Sequence, residues 1–288
     1  MLNLFRFLIN SNIYISVAAV FLTIETQVQL GMKPQWQPYL LIVFFATFFE
    51  YNLHRLITVV TNKDALKVDK HQWVRKHLKQ FYLIVIISAI GFLLSLFLAK
   101  KEVLIALAPV AVLTIFYSLP VFRNKTNIFR LREIPFLKIF LIAFVWSVAT
   151  IFLPIIQSGN LYNKVHVMIM LIERFVFVFA ITIPFDIRDM KQDAQSGLKT
   201  IPLLIGEKRA LFIANIGIML FLAISAIHYQ IMNLPYILIA FIVSAITTFV
   251  FINNKKLRKM TYYHYGLLDG AMLFQGLIVC IFYFLICK

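Results

Sequence analysis

Three carboxylates recur at helical spacing directly after a long apolar run. Asp186, Asp189 and Asp193 stand in the segment DIRDMKQD, which follows Phe185. Steps of three and four residues place the three side chains on one face of a helix. Acids clustered beside a membrane repel one another and favour a neutralising cation, and oxygen ligands suit Mg²⁺, which often holds substrate phosphates. The pattern therefore predicts a catalytic Mg²⁺ site formed by the three aspartates for a phosphorylated substrate.

An alternative explanation of these acids is a solvated interfacial face balanced by neighbouring basic residues. Arg188 and Lys191 lie within the same segment and could supply that balance. The functional interpretation is favoured because ionisable residues at membrane helices are costly and mostly functional. The following segment GLKTIPLLIG contains a turn, a proline and a short apolar piece. It is expected to cover the site before the next helix begins.

The elements that must position these residues are membrane helices. Hydrophobic residues make up 61% of the 288, only 14% are charged, and the mean hydropathy is +0.87. That composition excludes a soluble domain. The prediction is an all-α polytopic membrane protein, a single domain over residues 1–288 with cytoplasmic polar loops. Nine segments have a length suited to spanning a bilayer, namely 12–31, 38–60, 80–99, 102–119, 138–156, 165–185, 210–228, 233–252 and 265–286.

The basic residues predict the orientation of these helices. A net charge of +16 is compatible with nucleic-acid binding, but four alternate loops carry 19 of the 28 Lys and Arg residues. This asymmetry is typical of membrane topology, so no nucleic-acid partner is expected. We predict a multi-pass protein of the cell (inner) membrane. Its amino terminus and site-bearing loops face the cytoplasm, and its carboxyl terminus faces outward.

The segment DIRDMKQDAQSGLKTIPLLIG resembles the second aspartate motif of the UbiA family of intramembrane aromatic prenyltransferases. The helix count and Tyr117-Ser118-Leu119-Pro120 at the end of the fourth predicted helix also resemble that family. The resemblance implies a helical bundle that transfers a polyprenyl group from its diphosphate to a small acceptor. Acceptors of that family include hydroxybenzoates, naphthoates, homogentisate and haem, in quinone, haem or related lipid biosynthesis. It also implies two aspartate motifs that hold the diphosphate through Mg²⁺.

The first of those two motifs is where this sequence departs from the family. The family pattern is an Asn followed by Asp residues at four-residue steps. If Asn52 is that Asn, the next positions are Leu56 and Val60, whose side chains cannot bind a metal. Asp64 and Asp69 lie further along the chain and could replace part of the missing acidity. The sequence alone leaves this open.

A register shifted by two residues gives Glu50, His54 and Thr58 at the same steps, which predicts a polar face lining the cavity. Glu50 and His54 could bind a metal, contact an acceptor, or pair with each other or with Arg174. Because Mg²⁺ prefers oxygen to imidazole, structural pairing is at least as well supported. The residues of this region predicted to bind substrate are Glu50, Asn52, His54 and Tyr117.

Positive charge is required where a diphosphate departs, because it stabilises the leaving group. Arg55 and Lys138 lie closest to apolar helix, where an unpaired charge is costly, and are predicted to be catalytic. Arg188, Lys191 and Lys199 lie around the acidic segment and are predicted to bind the substrate. The alternative for loop Lys and Arg residues is topological anchoring.

Two rival functions follow from the same residues. The altered first motif is compatible with a non-catalytic UbiA-like protein that binds or carries an isoprenoid lipid or quinone. A secondary transporter is less favoured, because its ionisable site is expected near the bilayer midplane in broken helices. The predicted partners are a polyprenyl diphosphate, a small acceptor and the lipid bilayer.

Overall fold

Helices account for nearly all of the described chain in the computed structural model. The structure describes residues 2–61, 69–118, 122–124, 127–129, 131, 134–195 and 197–286. Two short antiparallel strands, Phe122–Asn124 and Asn127–Phe129, pair with Phe122 opposite Phe129. The elements are α1 (Leu2–Asn10), α2 (Ile13–Gln29), α3 (Tyr39–Thr61), α4 (Asp69–Lys76), α5 (Leu78–Phe97), α6 (Lys101–Ser118), β1 (Phe122–Asn124), β2 (Asn127–Phe129), α7 (Leu137–Ser158), α8 (Lys164–Gln195), α9 (Ile201–Ile205), α10 (Glu207–Ile231), α11 (Pro235–Asn253) and α12 (Asp269–Ile286).

The predicted all-α membrane architecture is confirmed, whereas the predicted number of spans is only approximate. Among the described residues, seven helices are long and apolar enough to cross a bilayer. The number becomes eight if α1 and α2, which meet at 76°, form one span. The predicted span 102–119 coincides with α6, which is not among the seven. The predicted span 12–31 corresponds to α2, the longer helix of the bent pair formed by α1 and α2.

The break between α1 and α2 is fixed by two side chains of α3. Asn12 adopts a left-handed φ of 65°, a conformation that Asn tolerates better than most residues. Arg55 donates to the carbonyl of Asn10 at 3.0 Å and to Asn12 Oδ1 at 2.6 Å. Asn52 donates to the carbonyl of Ser11 at 2.9 Å and accepts from Asn12 Nδ2 at 2.9 Å. The polar groups freed at the break are therefore satisfied inside the protein.

Glycines allow the helices of the bundle to approach closely. A Cβ at Gly276 of α12 would overlap the backbone of Phe21 in α2. A Cβ at Gly91 of α5 would overlap the ring of Phe45 in α3. Small residues at such crossings increase van der Waals contact, which drives helix association where no water is expelled.

The longest helix, α8, has 32 residues and packs against α7 and α10. Its last turns carry all three aspartates of DIRDMKQD. After α8, Gly197 adopts a φ of 70° and the amide of Leu198 donates to the carbonyl of Asp193 at 2.9 Å. This turn directs the following residues back toward the start of α7, where the amide of Phe136 donates to the carbonyl of Lys199 at 3.1 Å.

Candidate functional site

Two aspartates of α8 face one lysine at the start of α7. Asp186 and Asp193 are seven residues apart, or about two helical turns, and so lie on the same face. Lys138 Nζ lies 2.8 Å from Asp186 Oδ1 and 3.6 Å from Asp193 Oδ2. Asp186 is 2% exposed and Asp193 7% exposed. One ammonium therefore faces two buried carboxylates, which leaves the group with one negative charge in excess.

The same two carboxylates have the chemistry of a divalent-cation site. Asp186 Oδ1 and Asp193 Oδ2 are buried, and their contact within the described part of the chain is the ion pair with Lys138, which leaves acceptor capacity on both oxygens. Carboxylate oxygens suit Mg²⁺, which needs only one or two from the protein when phosphates supply the rest. Within the described part of the chain, no group of three or more His, Cys, Asp or Glu side chains is arranged to hold a metal. The donor set thus fits Mg²⁺ through two aspartates.

Asp189, the middle acid, points to a different partner. Its Oδ1 accepts from Arg188 Nε at 2.7 Å and its Oδ2 accepts from Arg188 Nη2 at 3.0 Å. Both oxygens are thus engaged by one planar guanidinium, a strong and geometrically specific pairing. Among the residues that the structure describes, Arg188 Nη1 is buried and has no hydrogen-bond partner. A buried guanidinium nitrogen is costly without an acceptor, which makes Nη1 a candidate donor to a ligand oxygen.

Tyr265 connects this guanidinium to the one on α3. The Arg188 guanidinium carbon lies 4.9 Å from the centre of the Tyr265 ring, and that of Arg55 lies 6.0 Å from it. Tyr265 belongs to a π-helical turn, Tyr263–Leu268, a distortion that is frequent at functional sites. Both hydrogen-bond acceptors of Arg55 among the described residues are uncharged, the carbonyl of Asn10 and Asn12 Oδ1. The two guanidinium groups thus both lie near one aromatic ring, that of Tyr265.

A small pocket opens between α7 and the turn that follows α8. Lys138 and Asp186 line it together with Phe136, Lys199 and Thr200. Thr200 Oγ1 is buried there and has no hydrogen-bond partner in the part of the chain that the structure describes. The predicted covering segment after DIRDMKQD thus lies against the acidic face of α8. Lys199 itself is exposed, as is Lys191.

The remaining predicted substrate-binding residues occupy α3 and the end of α6. Glu50, His54 and Tyr117 are half-buried. Asn52 is fully buried, and its amide donates to Ser11 and to the carbonyl of Phe48 at 2.7 Å, so its donors are used inside the fold.

Two further predictions concern the altered first motif. Arg174, considered as a partner for Glu50 or His54, instead forms an ion pair with Glu25 at 2.8 Å, because both lie deep in the bundle between α2 and α8. Asp64 and the side chain of Asp69 lie outside the described residues.

Sequence reasoning missed a second buried polar cluster, which lies at the amino-terminal half of α8. Its members include Glu25, Glu173, His166 and His228, all at most 6% exposed. The signal that identifies them is the presence of ionisable residues inside apolar runs. Their convergence was hidden because α2, α8 and α10 are far apart in the sequence.

A protein-family model and several solved structures match this chain. The model of the UbiA prenyltransferase family matches residues 75–262, which is more than half of the chain. No curated protein sequence matches.

Solved structures with low sequence identity share the fold along nearly the whole chain. The apo structure of a UbiA homolog from Aeropyrum pernix K1 has 13% identity and a TM-score of 0.68, covering 93% of this chain and 98% of that one. A UbiA homolog from Archaeoglobus fulgidus bound to GPP and Mg²⁺ has 15% identity and a TM-score of 0.61, covering 95% and 99%. A digeranylgeranylglyceryl phosphate synthase has 15% identity and a TM-score of 0.57, covering 98% of both chains.

Proposed function

Because the chain belongs to the UbiA prenyltransferase family, we propose that it transfers a polyprenyl group from its diphosphate to an aromatic or other small acceptor. The observation that carries this proposal is the pair of aspartates at Lys138 beside a guanidinium with an unused buried donor. The two carboxylates can bind a metal ion, and the nearby guanidinium can donate to phosphate oxygens. Together they suit a metal-bound diphosphate. A multi-pass membrane protein also gives the apolar prenyl chain a place to lie.

Asp186 and Asp193 are the residues that would hold Mg²⁺. When bound, Mg²⁺ supplies positive charge to the diphosphate oxygens and so lowers the cost of their departure. An Archaeoglobus fulgidus homolog of the same fold has been solved with GPP and Mg²⁺ bound, which supports Mg²⁺ as the ion in our proposal. Asp189 has a different role in our proposal, because it orients the Arg188 guanidinium through two hydrogen bonds.

The basic residues stabilise the leaving group. When the bond between the prenyl carbon and the diphosphate oxygen breaks, its electron pair leaves with the diphosphate. Arg188 Nη1, which has no hydrogen-bond partner among the described residues, donates to an oxygen of that group. Lys138 and Arg55 add fixed positive charge, and such preorganised donors are commonly the largest catalytic contribution. The acceptor then attacks the prenyl carbon, and the proton that it loses passes to the released diphosphate.

The orientation in the membrane forms part of the same proposal. The loop-charge asymmetry favours a cytoplasmic position for the carboxyl end of α8 and for the amino terminus. The prenyl diphosphate then enters from the inner leaflet of the cell membrane. Accessibility of single cysteines introduced at exposed positions, such as Lys191 and Leu161, tests this orientation, because these positions flank α8 at opposite ends.

One observation favours a non-catalytic relative that binds or carries an isoprenoid lipid. The amide of Asn52 is committed to the α1–α2 break, and Leu56, the next position of the first motif, is a buried hydrocarbon. The α3 side of the site therefore offers a guanidinium, Arg55, in place of that motif's acids. Such a protein would bind diphosphate without turning it over.

The experiment that separates these functions measures pyrophosphate release from purified protein in nanodiscs. The protein is supplied with farnesyl or geranylgeranyl diphosphate, Mg²⁺ and a panel of phenolic and other small acceptors. We expect release that falls at least about 100-fold in Asp189→Asn, in line with loss of an oriented donor. Glu102→Gln, which removes an exposed acid at the start of α6, is the matched control. Binding without release supports the carrier, and neither binding nor release overturns both.

A further inference from the structure

A continuous chain of hydrogen bonds links α2, α8 and α10 far from the aspartates. His166 Nε2 lies 2.9 Å from the carbonyl oxygen of Gln29, and His166 Nδ1 lies 2.7 Å from His228 Nε2. His228 Nδ1 lies 3.0 Å from Glu173 Oε1. Glu173 precedes Asp186 by 13 residues, which is about 20 Å along α8. The cluster is therefore separate from the proposed diphosphate site.

The geometry fixes the number of protons in this chain. The Gln29 carbonyl can only accept, so His166 Nε2 carries a hydrogen. Each of the other two contacts, between the imidazoles and from His228 to Glu173, needs one hydrogen between its two heavy atoms. Three hydrogens are therefore required. Two neutral imidazoles and a carboxylate supply only two, so three hydrogen bonds require one additional proton.

A metal ion does not account for these contacts. Two imidazole nitrogens bound to one tetrahedral Zn²⁺ at 2.0–2.1 Å stand about 3.3 Å apart. The nitrogens of His166 and His228 are only 2.7 Å apart, which is a hydrogen-bond distance. A shared proton is the occupant that this spacing admits.

The surrounding side chains leave Glu173 without another cation. Arg174, its neighbour in sequence, forms an ion pair with Glu25 of α2 and donates to Thr150 Oγ1 of α7 at 2.7 Å. Tyr229 of α10 donates its hydroxyl hydrogen to Glu173 Oε2 at 3.1 Å, which is a neutral contact. The only basic group in contact with Glu173 among the described residues is therefore His228.

The groups on the remaining elements are similarly neutral or already paired. Gln29 of α2 donates to the Tyr229 hydroxyl at 2.5 Å and accepts from Arg174 at 3.1 Å. Gln275 of α12 donates to Glu25 at 3.2 Å. Cys280 of the same helix lies near Glu25. A buried carboxylate needs a compensating charge, and here the additional proton provides it.

We propose that His166, His228 and Glu173 form a binding site for one proton. The bound proton joins α2, α8 and α10 through an unbroken run of hydrogen bonds. Its loss leaves two lone pairs facing each other at one of the three contacts. Packing at this end of the bundle therefore weakens as the pH rises through the release of that proton.

Spectroscopy of the unmodified protein tests this directly. Nitrogen-15 spectra of histidine-labelled protein in nanodiscs distinguish imidazolium from neutral imidazole, and infrared spectra detect a protonated carboxyl. At about pH 8 an ordinary imidazole is almost wholly neutral. We expect one proton equivalent to remain at this pH, as an imidazolium coupled to a second imidazole or as a glutamic acid. Only neutral imidazoles together with an ionised Glu173 would overturn the proposal.

The isosteric variant Glu173→Gln supplies an independent test. Its amide can donate to His228 Nδ1 and accept from Tyr229, so every contact is satisfied by neutral groups and no additional proton is needed. The thermal midpoint of the wild type should fall by several degrees between about pH 6.5 and pH 9, and that of Glu173→Gln should change by less than half as much. Glu102→Gln should behave as the wild type. Equal pH dependence in all three proteins contradicts the proposal.

Discussion

Lys138 Nζ lies 2.8 Å from Asp186 Oδ1, so the protein's own ammonium stands at the carboxylates proposed to hold Mg²⁺. The same nitrogen is 3.6 Å from Asp193 Oδ2. Without a divalent ion, this lysine reduces the repulsion between two buried acids. In our proposal, a bound divalent ion takes over this role and frees the lysine for a phosphate oxygen, so that Lys138 would couple the metal-free and loaded states of the site.

Replacement of Lys138 by Met should make the stability of the protein depend on Mg²⁺. The substitution leaves two buried carboxylates without their counter-charge and should lower the free energy of unfolding by about 3 kcal/mol without Mg²⁺. Added Mg²⁺ should raise the thermal midpoint more in Lys138→Met than in the wild type. Lys191→Met, at an exposed position of α8, is the control. An equal response to Mg²⁺ in both variants would count against the assignment of these carboxylates.

Replacement of Arg188 by Lys should distinguish the contribution of the positive charge from that of the planar guanidinium. Lysine keeps the positive charge but loses the planar fork that binds Asp189 at 2.7 and 3.0 Å. We expect pyrophosphate release to fall about 100-fold, with little change in the thermal midpoint. Steady-state kinetics together with scanning fluorimetry measure the two effects. The matched substitution Arg209→Lys, on the exposed face of α10, should leave both unchanged, and an unaltered rate in Arg188→Lys would refute the role of the fork.

Replacement of Arg55 should affect both the helix break and the diphosphate. Arg55→Met removes two donors from the acceptors of Asn10 and Asn12 and should cost about 1–3 kcal/mol of stability. The affinity for prenyl diphosphate, measured by calorimetry, should fall at least about tenfold. Arg55→Lys should recover part of the affinity, because it restores the charge. Recovery of stability without any recovery of affinity would confine Arg55 to a structural role.

The buried pair Glu25–Arg174 should show strong coupling in a double-mutant cycle. Arg174 is 2% exposed and Glu25 fully buried, so either single substitution leaves an uncompensated charge. Arg174→Met and Glu25→Gln should each cost about 3–5 kcal/mol. The double variant should be less destabilised than the sum, as measured by equilibrium unfolding in mixed micelles. Strict additivity would mean that the two side chains do not stabilise each other.

The sequence was informative about the helices and about the acidic face of α8. Long apolar runs and loop charges identify a membrane bundle, because the bilayer requires about 20 apolar residues for each span. The spacing of Asp186 and Asp193 identifies a shared face, because helical periodicity is local. The division of 2–29 into α1 and α2 was missed, because Arg55 and Asn52, which stabilise the break, come from another helix.

The partners of the charged residues could not be read from the sequence. Lys138 and Asp186 are 48 positions apart, and Glu25 and Arg174 are 149 apart. Such pairings depend on how helices cross, which composition and periodicity do not specify. The same limit applies to Asp189, whose position suggested a metal ligand while its two oxygens contact Arg188. Convergence of His166, His228 and Glu173 depends on the packing of α8 against α10.

The most direct measurement is a calorimetric titration of a non-hydrolysable farnesyl diphosphate analogue into the protein in nanodiscs, with and without Mg²⁺. Our proposal predicts binding that requires the ion, is abolished in the double variant Asp186→Asn/Asp193→Asn, and persists in Glu102→Gln. Absence of binding to the wild type under both conditions, or ion-independent binding that survives loss of both carboxylates, would contradict it.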